Sequence, residues 1–131
     1  NLALSLHAAD DVKRNEIMPI NGQNNLSELM DALRYFYEKT GNKISYEYIT
    51  FRGFNDSLDD AAKLARLCRD FPVKVNIIEY NPIAGIELVK SEEDTINAFA
   101  KYLRNKDIMV TVRRSRGKDI DAACGQLANK E

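Results

Sequence analysis

The chain reads as an α/β protein, half of a (β/α) barrel with about four parallel strands joined by three crossover helices. Three observations predict this. Short apolar runs alternate with amphipathic stretches in the order βαβαβαβ. Such alternation selects parallel pairing through right-handed crossovers. Four strands so joined leave a sheet edge or one face uncovered, which suits a truncated barrel better than a closed one.

The first run, residues 2–6, ends in Ser5-Leu6-His7 and brings the only histidine of the chain to its C-terminal end. Residues 10–25 show no apolar period, and Met18-Pro19-Ile20-Asn21-Gly22 breaks any helix there, so a loop is expected. Leu26, Leu29, Met30, Leu33, Phe36 and Tyr37 then recur at three-to-four spacing, with Thr40-Gly41 as a stop. Residues 44–51, rich in β-branched and aromatic side chains, form the second strand. Asn55-Asp56-Ser57 offers N-caps for a helix carrying Leu58, Ala61, Ala62, Ala65, Leu67 and Cys68. Residues 73–80 are the third strand. Ser91-Glu92-Glu93-Asp94 has the form of a capping box opening a third helix over 95–104, with Ile96, Phe99, Ala100 and Leu103 inward. Residues 108–112 complete the set.

At 131 residues the chain is the size of one domain, and 44% apolar with 30% charged residues is a soluble, globular balance. No apolar run approaches the ~20 residues of a membrane span, so no membrane association is expected. The chain opens as a strand, without a basic leader or an initiator Met, so a start inside a larger protein is expected rather than a signal peptide. A net charge of −1 leaves nucleic-acid affinity to a local patch. Two cysteines, Cys68 and Cys124, suit a reducing cytoplasm. With one histidine they fall short of a structural zinc site, and they form no iron–sulfur motif.

Sites in parallel α/β folds form at the C-terminal ends of strands. The four ends here present Ser5-Leu6-His7, then Arg52 to Asp56, then Tyr80-Asn81-Pro82, then Arg113-Arg114-Ser115-Arg116-Gly117-Lys118. Each has a bland reading beside the functional one. A lone histidine is most often a hydrogen-bonded structural residue, and Asn81-Pro82 is also a turn signal. Asn76, inside a strand, faces a barrel lumen or bonds its neighbours. Arg113, Arg114, Arg116 and Lys118 read as a solvated loop or as a phosphate-binding run. Cys68 sits on an apolar helix face and reads as core. Cys124, between Ala122-Ala123 and Gly125, has no local activation, and Asp119 and Asp121 oppose a lowered thiol pKa.

The segment Arg116-Gly117-Lys118-Asp119-Ile120-Asp121-Ala122-Ala123-Cys124-Gly125-Gln126-Leu127 resembles the C-terminal signature of the RlmN/Cfr family of radical S-adenosylmethionine RNA methyltransferases. Leu4-Ser5-Leu6-His7-Ala8, Met18-Pro19-Ile20-Asn21, Tyr46-Glu47-Tyr48-Ile49 with Asn55-Asp56, and Val75-Asn76-Ile77-Ile78-Glu79-Tyr80-Asn81-Pro82 agree in order. The resemblance covers the whole chain. It implies that residues 1–131 are the second half of an incomplete (β/α)₆ radical-SAM barrel, with 113–131 as the tail that carries a methyl-accepting cysteine.

Site roles follow from the resemblance alone. Ser5, Leu6, His7 and Asn81 match positions that contact S-adenosylmethionine, and Cys124 matches the cysteine methylated first, by displacement. A second S-adenosylmethionine, cleaved at a [4Fe-4S] cluster fed by an electron donor, then makes that S-methyl group a carbon radical that adds to adenine. The detour has a chemical reason: C2 of adenine is electron-poor, and an electrophilic methyl group would not react there directly. The cluster ligands, the resolving cysteine and the general base of the family are absent from this chain, so alone it is expected to bind no cluster and to be inactive. The approach Val112-Arg113-Arg114-Ser115-Arg116-Gly117 looks like the branch that methylates C2 of an adenine in large-subunit ribosomal RNA, with transfer RNA as a second substrate in some members. The alternatives are the C8-methylating resistance branch and, for the chain itself, a non-catalytic RNA-binding module. A cytoplasmic monomer is expected.

Overall fold

The structure, a computed structural model, describes residues 1–17, 25–82 and 87–114. Its elements are β1 (Leu2–Ser5), α1 (Asp11–Ile17), α2 (Leu26–Thr40), β2 (Ile44–Thr50), α3 (Leu58–Arg66), β3 (Val73–Glu79), α4 (Glu93–Asn105) and β4 (Met109–Arg113). The four strands form one sheet in the order β1-β2-β3-β4, parallel throughout. Sequential order means that each crossover steps the same way, and right-handed crossovers then stack their helices on one face. That is the winding of a barrel segment, as the alternation of runs predicts.

Burial shows which face the helices cover. Along β2 every second residue is buried, and Ile44, Tyr46 and Tyr48 join Val75 and Ile77 of β3 and Val110 of β4 in the core. Against them pack Leu26, Met30 and Leu33 of α2, Ala61 and Leu64 of α3, and Ile96, Phe99, Ala100 and Leu103 of α4. The Tyr48 and Phe99 rings meet at 5.2 Å between centroids. Alternation along a strand sends the intervening side chains to the opposite face. That face, with Ser5, Glu47, Asn76 and Thr111 in register across it, carries no helix among the described residues. In a barrel it would line the interior.

Helix ends follow local chemistry. Asn25 caps α2 in a reciprocal box with Glu28, and Gly41 closes it at φ 67° with its N–H on Tyr37 O, a backbone form that glycine adopts without strain. Of the three cap candidates before α3, Ser57 is the cap, boxed with Asp60.

Two expectations need correction. α1 lies within the stretch read as a loop: Asp10 Oδ1 accepts from the N–H groups of Val12 and Lys13 at 2.8 and 3.2 Å and starts the helix. Its one buried residue is Arg14, so no apolar period announces it. Met18-Pro19-Ile20-Asn21-Gly22, read as breaking any helix, lies outside the described residues. The capping box predicted at Ser91 does not form. α4 begins at Glu93 behind Glu92, without a side-chain cap, because the Ser91 hydroxyl donates instead to Asp56 Oδ2 at 2.7 Å.

Candidate functional site

The rim at the C-terminal strand ends is built first from β1. Leu6 is fully buried, and its backbone is engaged on both sides: its N–H donates to Glu47 O at 2.9 Å, and its C=O accepts from Arg14 Nε at 3.0 Å. Arg14 also donates to Ser5 O at 3.1 Å. Leu6 therefore anchors the triplet, with Ser5 before it on the helix-free side and His7 after it, beyond the end of the strand. Ser5 is exposed and His7 is half-buried.

His7 turns out of the strand at φ 56°, and its Nδ1 accepts from the Ile49 N–H at 2.9 Å. Burial, aided by the positive charge of Arg14, lowers its pKa from 6.5 to about 4, so the ring is neutral at physiological pH. The sign of the consequence is fixed. Between those values the unfolded chain binds a proton that the folded chain does not, so stability is complete above about pH 6.5 and falls as pH drops toward 4. The loss should reach at most about 3 kcal/mol. Melting temperature against pH is expected to show this slope in the wild type and to lose that part of it in His7→Gln.

The helix-free face adds a row below the rim. Thr111 Oγ1 donates to Asn76 Oδ1 at 2.5 Å, and Asn76 Nδ2 donates to Glu47 Oε2 at 2.6 Å. Asn76 thus meets both of its readings: it faces the barrel side and bonds its neighbours. Ser5 is the register partner of Glu47, so this row ends beside the rim triplet.

The other predicted residues are placed as follows. Asn81 is half-buried just beyond β3. Arg113 is exposed at the end of β4 on the helix-free side, whereas Arg114 turns to α4 and donates to Asn97 Oδ1. The described half of the basic run is therefore divided between two directions. Arg116, Lys118 and Cys124 lie outside the described residues. Cys68, read as core, packs against the core half-buried; burial pushes its thiol up to about 12.

Sequence reasoning missed Arg14 and gave Asn55 the wrong role. Asn55 does not cap α3. It is fully buried, with its side chain bonded to the ends of β1 and β2. Asx residues before a helix signal caps, and nothing in the sequence separates this use from that one.

No protein-family model matches the chain. It is 55% identical over 130 residues to a probable dual-specificity RNA methyltransferase RlmN of Cytophaga hutchinsonii, covering 99% of this chain and 36% of that protein. The dual-specificity RNA methyltransferase RlmN of Nautilia profundicola is 43% identical over 131 residues, which is 100% of this chain and 37% of that protein. Over these 131 residues the chain is similar throughout to proteins named RlmN. The fold agrees. A radical SAM methyltransferase from Sphaerobacter thermophilus superposes with a TM-score of 0.89 at 41% identity, over 96% of this chain and 37% of that one. The chain thus spans little more than a third of the length of these relatives. Among its described residues no helix is long and apolar enough to cross a membrane.

Proposed function

We propose that this chain is the C-terminal part of an RNA methyltransferase, holding S-adenosylmethionine at its rim and carrying the methyl-accepting thiol in its tail, residues 113–131. The observation that carries the reading is the Ser5-Leu6-His7 turn, locked at the strand ends beside a polar helix-free face. These residues fit the ligand. A neutral imidazole, an exposed hydroxyl and Asn81 suit the hydroxyl and carboxylate oxygens of a nucleoside amino acid, and the Glu47 carboxylate suits its positive charge. Bound there, S-adenosylmethionine supplies an electrophilic methyl group and, elsewhere in the whole enzyme, the precursor of a radical.

The chain does the positioning. Ser5, His7 and Asn81 hold the adenosyl ligand, with Leu6 as the buried anchor between the first two. Cys124 attacks as the thiolate: its sulfur forms a bond to the methyl carbon, the sulfonium carbon–sulfur bond breaks, and the electron pair leaves on the neutral thioether. Arg113, Arg114, Arg116 and Lys118 contact RNA phosphates. A [4Fe-4S] cluster does not fit the described residues, which contain no group of three metal-ligating side chains, so no cluster step is assigned to this chain.

The substrate proposed is C2 of an adenine in large-subunit ribosomal RNA, with transfer RNA second, in the cytoplasm. Nucleoside mass spectrometry of RNA from a null strain complemented with the full-length gene tests it. A 2-methyladenosine product is expected. An 8-methyl product would transfer the protein to the other branch, and no methylated adenosine would end the reading.

A non-catalytic RNA module is the second reading, favoured only by the basic run. Its contacts are testable in the full-length protein. Arg113→Ala and Arg114→Ala should each weaken RNA binding without sequence preference and reduce the slope of log affinity against log salt by about 1. An unchanged slope would remove these arginines from the interface.

A further inference from the structure

The turn after β1 holds its histidine in a conformation that needs external support. A φ of 56° lies in the left-handed region, which costs a non-glycine residue on the order of 1 kcal/mol or more. Three bonds hold it. The His7 N–H donates to Glu47 O at 3.3 Å, its Nδ1 accepts from the Ile49 N–H at 2.9 Å, and its C=O accepts from Asn55 Nδ2 at 2.8 Å.

Asn55 spends its whole side chain on this junction. Nδ2 donates a second bond to Ile49 O at 2.8 Å, and Oδ1 accepts from the Phe51 N–H at 2.7 Å. Its own C=O accepts from the Tyr48 hydroxyl at 2.7 Å, which fixes the residue to the core. One fully buried amide thus ties the end of β2 to the turn after β1. The peptide bearing the Ile49 N–H lies next to a carbonyl that Asn55 holds, so the donor to the ring is held by the same residue.

An N–H can only donate, so the Nδ1 it meets is unprotonated, and a neutral ring then carries its proton on Nε2. Among the described residues none accepts from that nitrogen. We propose that Asn55 is the positioning residue for His7, and that it and the Ile49 amide fix the ring as an Nε2–H donor to an oxygen of the adenosyl ligand. His7 in this form orients the ligand and does not relay protons. The donor role rests on the reading of the rim given under the proposed function; the clamp does not.

The test uses the full-length protein. Selective ¹⁵N-histidine labelling of iron-free protein, with His7 assigned by its loss in His7→Gln, reads the tautomer directly. An Nε2–H form that persists from pH 8 to pH 5 is expected, and an Nδ1–H form or a mixture would overturn the clamp. In the holoenzyme, Asn55→Ala should raise the dissociation constant for S-adenosylmethionine at least tenfold and turn the His7 signals into a tautomeric mixture. Asp56→Asn, which disturbs neighbouring bonds to Gly53 and Ser91, should leave both unchanged. Asn55→Ser serves if the alanine variant does not fold, since it removes both amide donors and keeps a polar atom. Unchanged tautomer and affinity in these variants would overturn the positioning role. An Nε2–H ring in the wild type, with full affinity in His7→Gln, would overturn the donor role and with it the rim as the ligand site, while the clamp would stand.

Discussion

Cys124→Ala in the full-length enzyme is expected to abolish adenine methylation, whereas Cys68→Ala should leave it intact. The two thiols of the chain make a controlled pair. Cys68 is half-buried just after α3, and burial raises its pKa to about 12, so the reactive thiolate is scarce at neutral pH. Its place is wrong as well. It lines a cleft of about 740 Å³ with Ile44, Val73 and Ile108, at the N-terminal ends of the strands and opposite the rim. Parallel α/β proteins keep that end for stability and put chemistry at the other. Cys124 takes its role from its resemblance to the methyl-accepting signature, and its neighbours Asp119 and Asp121 do not favour the thiolate. Mass spectrometry of the tail should show an added methyl group on Cys124 in the wild type and none in Cys124→Ala, alongside methylated adenosine in the RNA. Full product from Cys124→Ala would sink the carrier role. Loss of product in Cys68→Ala with an intact fold would show that the wrong thiol has been assigned.

The parts of the fold that bury apolar surface were legible in the sequence, because burial imposes a period. Ile96, Phe99, Ala100 and Leu103 repeat as an inward stripe and are all buried. Residues 44–50 alternate, and the alternation is the division between helix-covered and helix-free faces. Even so, Leu58, assigned to the helix period, is exposed at the first position of α3. Polar residues were harder, since one side chain has several uses that sequence does not separate. Ser91 fits a capping box on paper, but a buried Asp56 needs a donor, and the hydroxyl goes there. Asn55 looks like a cap and serves as a joint. α1 has no apolar face at all; it is held by Asp10 and by the ion pairs Lys13–Asp60 and Lys63–Asp10, contacts 47 and 53 residues apart in sequence. For the site, the rule that chemistry gathers at the strand ends singles out Ser5, His7, Asn81 and Arg113 as candidates, and the ligand class proposed for them rests on the resemblance of their segments to the methyltransferase family.

Arg14→Met is expected to cost about 2–4 kcal/mol and to weaken S-adenosylmethionine binding, although Arg14 belongs to none of the rim segments. The side chain is 4% exposed and its guanidinium holds the carbonyls of Leu6 and Ser5 at 3.0 and 3.1 Å. Methionine keeps the length of the stem and removes the charge and its donors. Leu6 O would retain the Ala8 N–H at 2.7 Å, so the strain of the change falls on Ser5, whose carbonyl loses this charged donor. Its peptide plane is then freer to turn, and the hydroxyl that the rim presents moves with it. A second effect separates this account from general destabilisation. The charge of Arg14 is the smaller of two causes that lower the His7 pKa, so its removal should raise that pKa from about 4 toward 6.5 while burial keeps it below the ordinary value. The acid-induced loss of stability should accordingly be smaller in Arg14→Met than in the wild type. Lys13→Met, on the same helix as Arg14, is the control: it breaks a partly exposed ion pair to Asp60 of α3, without contact to the β1 carbonyls. Urea denaturation, histidine titration by NMR and ligand affinity would be measured on both variants of the full-length protein. If Arg14→Met and Lys13→Met shift the His7 pKa and the affinity alike, the guanidinium is not what orders the end of β1. If only Arg14→Met does so, the short helix absent from every apolar pattern in the sequence is the element that sets the geometry of the rim.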